Sequence, residues 1–572
     1  MQIQVNGRQV EANPGEMLLS ALRRNGVQVP TLCHMEGRLP SGACRLCVVD
    51  VEGMSGLVPS CAFPAREGMK VQTHSPRAVR ARKTIIELLL AAHPDDCLYC
   101  PRAGNCDLQR MAEELGVRQR RYTGEKNDWH VDSSSPSIVR DPAKCILCGR
   151  CVRVCEEIQG VSAIDFVGRG AQTRVAPAFD QGLNVSSCVD CGQCILSCPT
   201  GALTEQSHFK DIFDAIENPE KVVVVQHAPA VSVTLGELFG VKPGTDLAGL
   251  MTAALRRLGF DHVFDTSFAA DLTVMEEASE LVGRIREGGA LPLFTSCCPA
   301  WVDFVGQEFP DLLGQVSTCK SPQQMLGAVA KSWFAGNQGV DPGNIYSVAV
   351  MPCTAKKFEA TLPAMVSEGQ PDVDAVITTR ELARIIRMRG IDLRTLEPET
   401  ADTPFGTRSS AGKLFGATGG VMEAAIRTAH HMVTGRELDN LKVREVRGLD
   451  GVKEGRVMLG DLEVGVAVVS GLANARRLVQ EIRAGRSDLH FIEVMACPGG
   501  CIQGGGQPIG ADMEAVKARM QALYAIDRDA ELRTAHGNPD VRRLYDEFLG
   551  RPLCGRSHDL LHTTHGRRQI EW

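Results

Sequence analysis

Two stretches, "CILCGRCVRVC" at residues 145–155 and "CVDCGQCILSCPTGAL" at 188–203, carry one spacing twice, C-x2-C-x2-C-x3-C. Four thiols set so closely along a chain converge only if the backbone coils tightly around whatever they hold. This duplication therefore constrains the fold more than any hydrophobic pattern does. The protein has 22 cysteines in 572 residues, and most sit in such clusters. The opening "MQIQVNGRQV" lacks the basic and apolar regions of a secretory signal, so a cytoplasmic setting is expected and metal ligation takes precedence over disulfides. Zinc ribbons use CxxC pairs, whereas three cysteines at x2 spacing plus a fourth favour iron–sulfur clusters.

In the bacterial two-cluster ferredoxin pattern the fourth cysteine of each run serves the other cluster. The spacing predicts one 4Fe-4S cluster on Cys145, Cys148, Cys151 and Cys198 and another on Cys188, Cys191, Cys194 and Cys155, in a domain spanning 119–209. Two modules precede it. Residues 1–78 start with alternating apolar positions around an Asn6-Gly7 turn, read as a hairpin, followed by a helix near 16–24. Cys33, Cys44, Cys47 and Cys61 then form a C-x10-C-x2-C-x13-C series. On a hairpin-rich frame this resembles a plant-type 2Fe-2S ferredoxin with a longer first gap, zinc being the alternative. Residues 79–118 read as a basic amphipathic helix leading into His93, Cys97, Cys100 and Cys106 at H-x3-C-x2-C-x5-C. An imidazole at a fixed offset from three cysteines predicts a 4Fe-4S cluster held by one histidine and three thiolates, with a potential raised by the missing thiolate charge.

Residues 210–572 change character. "KVVVVQHAPAVSV" and "IYSVAVMPC" read as buried strands, "LAGLMTAALRRLGF" and "VMEEASELVGRIREG" as helices. Their alternation predicts an α/β domain with a largely parallel sheet, so the whole chain is expected to be multidomain α/β with ferredoxin-like modules at its N-terminus. Most of the cysteines here fall in "TSCCPAW", "VMPCTAKKFEA" and "EVMACPGGCIQGGGQP".

Those three stretches, in this order, resemble the signature motifs of the FeFe-hydrogenases, TSCCPxW, MPCxxKxxE and ExMxCxxGCxxGGGxP. The upstream modules, the length and the tail "RSHDLLHTTH" are similar to the large monomeric bacterial type. The resemblance implies an H-cluster domain that reversibly reduces protons to dihydrogen, with electrons from ferredoxin or flavodoxin. It implies that Cys298, Cys353, Cys497 and Cys501 hold the 4Fe-4S part of the H-cluster, and that Cys501 bridges to a diiron subsite carrying carbon monoxide, cyanide and a dithiolate. Lys356 would hydrogen-bond a cyanide, with Glu359 behind it, and Met351 and Met495 would pack on the subsite. Ala228, Pro229, Ala230, Gly416 and Gly419 are expected in the same cofactor-binding environment. The glycines of "PGG" and "GGG" would let backbone approach a bulky inorganic group.

By the same likeness Cys297 is the last proton donor, reloaded through Glu277, Ser317, Glu280 and Arg284. A free thiol has a pKa of ~8.5 and can donate and accept near neutral pH. Glu277, Glu280 and Arg284 lie at i, i+3 and i+7 on one helix face, a pattern that alone equally suits a solvated acidic face. Two positions depart from the family pattern: Ser232 where arginine is expected, and Ala230 where some members carry serine. Cys319 and Cys554 match none of these roles and read as ordinary thiols.

A formal charge of -7 and a pI near 6.1 leave no electrostatic footprint for nucleic acid or a membrane surface. The apolar runs fall short of the ~20 residues of a membrane helix. Hydrogenase maturation proteins are expected partners, and a monomer is the expected state. Two alternatives stand beside this reading. Residues 1–209 equally resemble the iron–sulfur subunit of NADH dehydrogenases, an electron conduit; the rest could belong to a non-catalytic relative, a sensor or an iron–sulfur assembly factor. The motif TSCCPAW argues against the first and Cys297 with its acidic helix against the second.

Overall fold

The computed structural model describes residues 1–119, 121–126, 129–438, 441 and 443–567. At the N-terminus Gln2–Val5 and Arg8–Glu11 pair antiparallel, and Asn6 and Gly7 turn the hairpin with φ of 52° and 85°. Two successive left-handed residues are what an Asn-Gly turn supplies at least cost. Three further strands complete a five-stranded sheet, which packs on the helix Leu18–Arg24. The helix Pro76–Ala92 is fastened to this module by Arg82, whose buried guanidinium donates to the carbonyls of Leu46, Val48 and Thr73. Part of the basic character expected to face outward is thus an internal clamp.

Strands Ile138–Arg140 and Leu203–Glu205 pair antiparallel and tie the beginning of the duplicated segment to its end. Beyond it the expected single sheet is instead two sheets of four strands. One is wholly parallel, in the order His262–Asp265, Val222–His227, Ile345–Met351, Ala375–Thr378. The other runs Leu293–Phe294, Phe491–Met495, Leu462–Ser470, Val452–Leu459, parallel except for its last pair. Periodicity identifies a strand but not its partner, and the two-residue strand 293–294 offers no period at all.

The topology decides where chemistry can happen. His227, Phe294, Met351 and Met495 end their strands, and the segments that follow them carry Ala228–Ala230, Cys297–Cys298, Cys353 and Cys497. The carboxyl ends of parallel strands from both sheets therefore open on one place, where α/β folds bind ligands. The 22-residue helix Thr266–Glu287 runs beside it. After the helix Met513–Asp529 the chain returns to this helix, and Cys319 and His562 form an antiparallel bridge. Among the described residues no helix is long and apolar enough to cross a membrane.

Candidate active site and its cluster-binding loops

The accessory thiols fall into local groups. Cys47 and Cys61 have sulfurs 3.2 Å apart, and the Cys44 N–H lies 3.5 Å from the Cys33 sulfur. His93 ends the helix Pro76–Ala92; its Nδ1 lies 3.0 Å from Pro94 O, while its buried Nε2 has no partner among the protein atoms. That leaves one lone pair for a metal, the use a ligating imidazole makes of its second nitrogen. Cys145, Cys148, Cys151 and Cys198 line one cavity of about 440 Å³, and Cys155, Cys188, Cys191 and Cys194 line another of about 470 Å³. Each is a crossed set, three thiols of one run with the fourth of the other.

A larger cavity of about 740 Å³ lies at the carboxyl ends of the two sheets. Cys297, Cys298, Cys353, Cys497 and Cys501 all line it, with Met351, Met495 and Ala228–Ala230 closing its apolar walls. Burial pushes all five thiols up, and for Cys297, Cys353, Cys497 and Cys501 repulsion from neighbouring thiols adds to it. Converging thiols that cannot ionise unaided suit a cationic cluster, because metal binding reverses the penalty that burial imposes.

The adjacent cysteines live in opposite surroundings. Cys298 immediately precedes the helix Pro299–Glu308, and its sulfur accepts the N–H of Ala496 at 3.4 Å. N–H groups of Ala300 and Trp301 also hold its thiol down, as the positive end of a helix should. No amide is among the chief influences on Cys297; after burial, Glu277 is what most raises it. It is therefore a protonated thiol well above the ordinary cysteine range rather than one poised near neutrality. Lys356 Nζ lies 3.0 Å from Glu359 Oε2 and 3.1 Å from the Cys297 carbonyl, and it lines the cavity. Glu359 Oε1 lies a further 3.3 Å from the same ammonium, so an anionic ligand there would share the charge with Glu359.

Behind Cys297 the polar side chains line up. Ser296 N–H donates to Glu277 Oε1 at 3.2 Å, and the buried Oε2 has no partner among protein atoms. Burial raises Glu277 to about 8, with Glu280 and Glu493 adding to it, so this carboxyl holds its proton at neutral pH. The Ser317 hydroxyl donates to Glu280 Oε2 at 2.7 Å and stands near enough to Glu277 to offset part of the burial effect. Arg284 donates to Glu280 Oε1 at 2.6 Å, with its side chain 15% exposed.

Two expectations change. Gly419 does not line the cavity; at φ 89° it opens the helix Gly420–Thr434 and donates to Glu493. Of the "GGG" run only Gly504 lines the cavity, while a side chain on Gly505 or Gly506 would strike Gly192 or Thr378. These glycines serve the approach of chain to chain more than of chain to cofactor. The departures are quiet: the Ser232 hydroxyl donates to Pro229 O, and Ala230 stays in the apolar wall. Sequence reasoning passed over Gln323, which lines the cavity and donates to Lys356 O and Glu359 Oε2. Its signal was a pair of glutamines just after a proline, at the start of an otherwise apolar helix.

Residues 221–505 match the family described as iron only hydrogenase large subunit, C-terminal domain, and 513–568 match the iron hydrogenase small subunit. Upstream, residues 1–76 match a 2Fe-2S iron-sulfur cluster binding domain. Residues 82–121 match the NADH-ubiquinone oxidoreductase-G iron-sulfur binding region, and 135–204 the ferredoxin-like domain of NADH-quinone oxidoreductase subunit 3. The chain is 48% identical to the NADP-reducing hydrogenase subunit HndD of Solidesulfovibrio fructosivorans, over 99% of both chains. It is 40% identical to iron hydrogenase 1 of Clostridium pasteurianum over 98% of both. A solved variant of the FeFe-hydrogenase HydA1 of Chlamydomonas reinhardtii superposes with a TM-score of 0.58 and 42% identity, covering 63% of this chain and 99% of that one. Alike over its whole length to such enzymes, and built around the same motifs, the chain belongs to the FeFe-hydrogenases, which interconvert protons and dihydrogen at an H-cluster served here by one 2Fe-2S and three 4Fe-4S clusters.

Proposed function

We propose a division of labour around the cavity: Cys298, Cys353, Cys497 and Cys501 bind the cubane of the H-cluster, and Cys297 alone carries protons. The carrying observation is the contrast between the amide-cradled sulfur of Cys298 and the carboxylate-facing sulfur of Cys297. When bound, the H-cluster supplies the redox-active iron at which electrons and protons combine. The chain supplies the rest. Its apolar walls exclude water, Lys356 orients an anionic ligand, and Cys297 offers a proton that a neutral Glu277 can replace. Ser317, with a hydroxyl that both donates and accepts, links Glu277 to Glu280, and Arg284 holds Glu280 at the outer end.

For the accessory clusters we propose the ligand sets Cys33, Cys44, Cys47, Cys61; His93, Cys97, Cys100, Cys106; and the two crossed sets of the duplicated segment, with domain limits at 78, 118 and 209. Family matches at 1–76, 82–121, 135–204 and 221–505 support those limits. Electrons reach this conduit from ferredoxin or flavodoxin. A second reading rests on the relative named an NADP-reducing hydrogenase subunit: the chain would then exchange electrons with a partner that reduces NADP, and in the reverse direction draw them from NADPH. The test uses protein matured with the assembly factors that build the diiron subsite. Hydrogen evolution is measured anaerobically with reduced viologen, reduced ferredoxin, reduced flavodoxin, and NADPH. Infrared bands of carbon monoxide and cyanide without evolution from viologen would overturn the proposed proton assignment; turnover that requires NADPH and a second protein would select the second reading.

A further inference from the structure

The region that matches the small subunit returns to the catalytic domain beside the proposed proton route. Glu276 is fully buried on the helix Thr266–Glu287, one residue before Glu277. Its carboxylate accepts the Tyr545 hydroxyl at 2.5 Å, the Leu553 N–H at 2.7 Å and the Ser557 hydroxyl, and His562 Nε2 lies 3.1 Å away. All four partners come from the C-terminal segment. A carboxylate so deep is tolerable only when its hydrogen bonding is complete, so this segment and the helix are held as one unit.

The same segment grips a second element. His562 Nδ1 lies 2.8 Å from Thr318 Oγ1, the Thr563 N–H donates to Thr318 O at 2.8 Å, and the Lys320 N–H donates to Leu561 O at 2.8 Å. His565 Nε2 lies 2.9 Å from Ser317 O. On its other side the stretch 317–320 is held to the core by the Ser317 N–H, which donates to Phe294 O at 2.8 Å. Ser317 thus sits on an extended stretch between two isolated bridges, Phe294 to Val316 on the side of the catalytic sheet and Cys319 to His562 on that of the C-terminal segment. None of Glu276, His562 or His565 lines the cavity.

We infer that Leu553–His565 is a positioning element for proton delivery: through His562 and His565 it fixes the extended stretch 317–320 against the Glu276–Glu280 turn of the helix, so that the Ser317 hydroxyl stays on Glu280 and close to Glu277. The inference rests on the proposed route through Ser317 and Glu280. A hydroxyl relays a proton only while hydrogen-bonded at both ends, and a displacement of about 1 Å costs up to ~10²-fold in rate. A stretch gripped on one flank alone has that freedom. His562 is the hinge of the arrangement because its two ring nitrogens touch the helix carboxylate and the Thr318 hydroxyl at once.

The test uses cluster-loaded, matured enzyme. His562→Leu removes both contacts, His562→Gln can restore both through its amide, and His565→Ala removes only the contact to Ser317 O. Hydrogen–deuterium exchange of peptides covering 316–321 is read without turnover, beside hydrogen evolution in H2O and D2O and the infrared bands of the loaded site. His562→Leu is expected to exchange faster there, to lose about tenfold or more in turnover and to gain solvent isotope effect with unchanged infrared bands. Gln should recover most of this, and His565→Ala should move the same way by less. Wild-type isotope effect and exchange in His562→Leu, or lost turnover without a changed isotope effect, would overturn the inference. If His562→Leu does not fold, an unchanged isotope effect in His565→Ala overturns it instead. Ser317→Ala and Glu280→Gln separate the two levels: full turnover in these refutes the route, whereas their loss beside unaffected tail variants refutes only the positioning role.

Discussion

The cavity has two flanks built on different rules. Toward the accessory clusters the loop of Cys191 meets the loop 501–506 backbone to backbone: a side chain on Gly505 would lie 2.7 Å from Gly192 Cα. Thr354 Oγ1 donates to Asp190 O at 2.7 Å and Gln193 Nε2 to Gln503 O at 2.9 Å, which pins the seam without adding a titratable group to it. On the opposite flank a thiol, two carboxyls, a hydroxyl and a guanidinium succeed one another. An electron can cross a thin seam of packed backbone, whereas a proton has to be handed from group to group. Closeness of backbone serves the first, and chemistry of side chains serves the second.

The contrast is sharpest at the cysteine pair, where the largest effects are expected. Cys298→Ala should abolish cluster assembly, lowering iron content and removing the infrared bands. Cys297→Ala should keep both and still lose about 10³-fold or more of turnover, since a positioned proton donor contributes roughly 10²–10⁴. Equal iron loss in the two variants would erase the distinction between the flanks.

Next in size is Glu277→Gln, with a loss of about 10²-fold and a stability signature of its own. The folded carboxyl titrates at about 8 against an ordinary 4.5, so the folded state binds the proton more tightly than the unfolded one. The stability tied to that proton is fully present below pH 4.5 and is lost as pH rises through about 8. Thermal unfolding followed anaerobically at several pH values should show wild type weakening more than Glu277→Gln across this window. Parallel curves would mean that Glu277 is ionised in the folded protein.

How much of this was legible beforehand differs between the flanks for a physical reason. Cys145–Cys155 and Cys188–Cys198 lie within short stretches of chain, so spacing grouped each run, and likeness to the two-cluster ferredoxin pattern supplied the crossed fourth cysteine that the two pockets also show. The thiols of the large cavity come from segments as far apart as 298 and 501, brought together by strand order in two sheets, and only likeness to known motifs could gather them. Helical spacing placed Glu277, Glu280 and Arg284 on one face, but Ser317 meets Glu280 from an irregular stretch that no period announces. Gly419, expected beside the cofactor, opens a helix instead of lining the cavity, and the two roles of a glycine look the same in sequence. The clasp of His562 on Glu276 was invisible, since its partners lie hundreds of residues apart.

The electron flank should yield less to a single change. Gly505→Ala places a methyl against Cys191 O and Gly192 Cα, where rigid backbone has to give way. Such overpacking costs roughly 1–3 kcal/mol in stability, measurable by anaerobic thermal unfolding. It should also slow reoxidation of the reduced accessory clusters by the H-cluster in rapid-freeze spectra by less than about tenfold, without altering the solvent isotope effect. A changed isotope effect here would break the separation of the two flanks.

The smallest effect on turnover is expected away from the cavity lining, at His93. Its Nδ1 is engaged by Pro94 O, so Nε2 is the nitrogen free to bind iron. Replacing that neutral donor by a thiolate in His93→Cys adds one negative charge to the cluster, which makes its oxidised form the easier one to hold. The midpoint in an EPR-monitored titration should fall by on the order of 100 mV, while turnover with viologen changes about twofold or less. The pH dependence of turnover should not move at all, because nothing titratable on the proton flank has been touched. An unchanged midpoint would remove His93 from the ligand set, and a displaced pH profile would mean that the electron chain and the proton chain communicate long before they meet at the cavity.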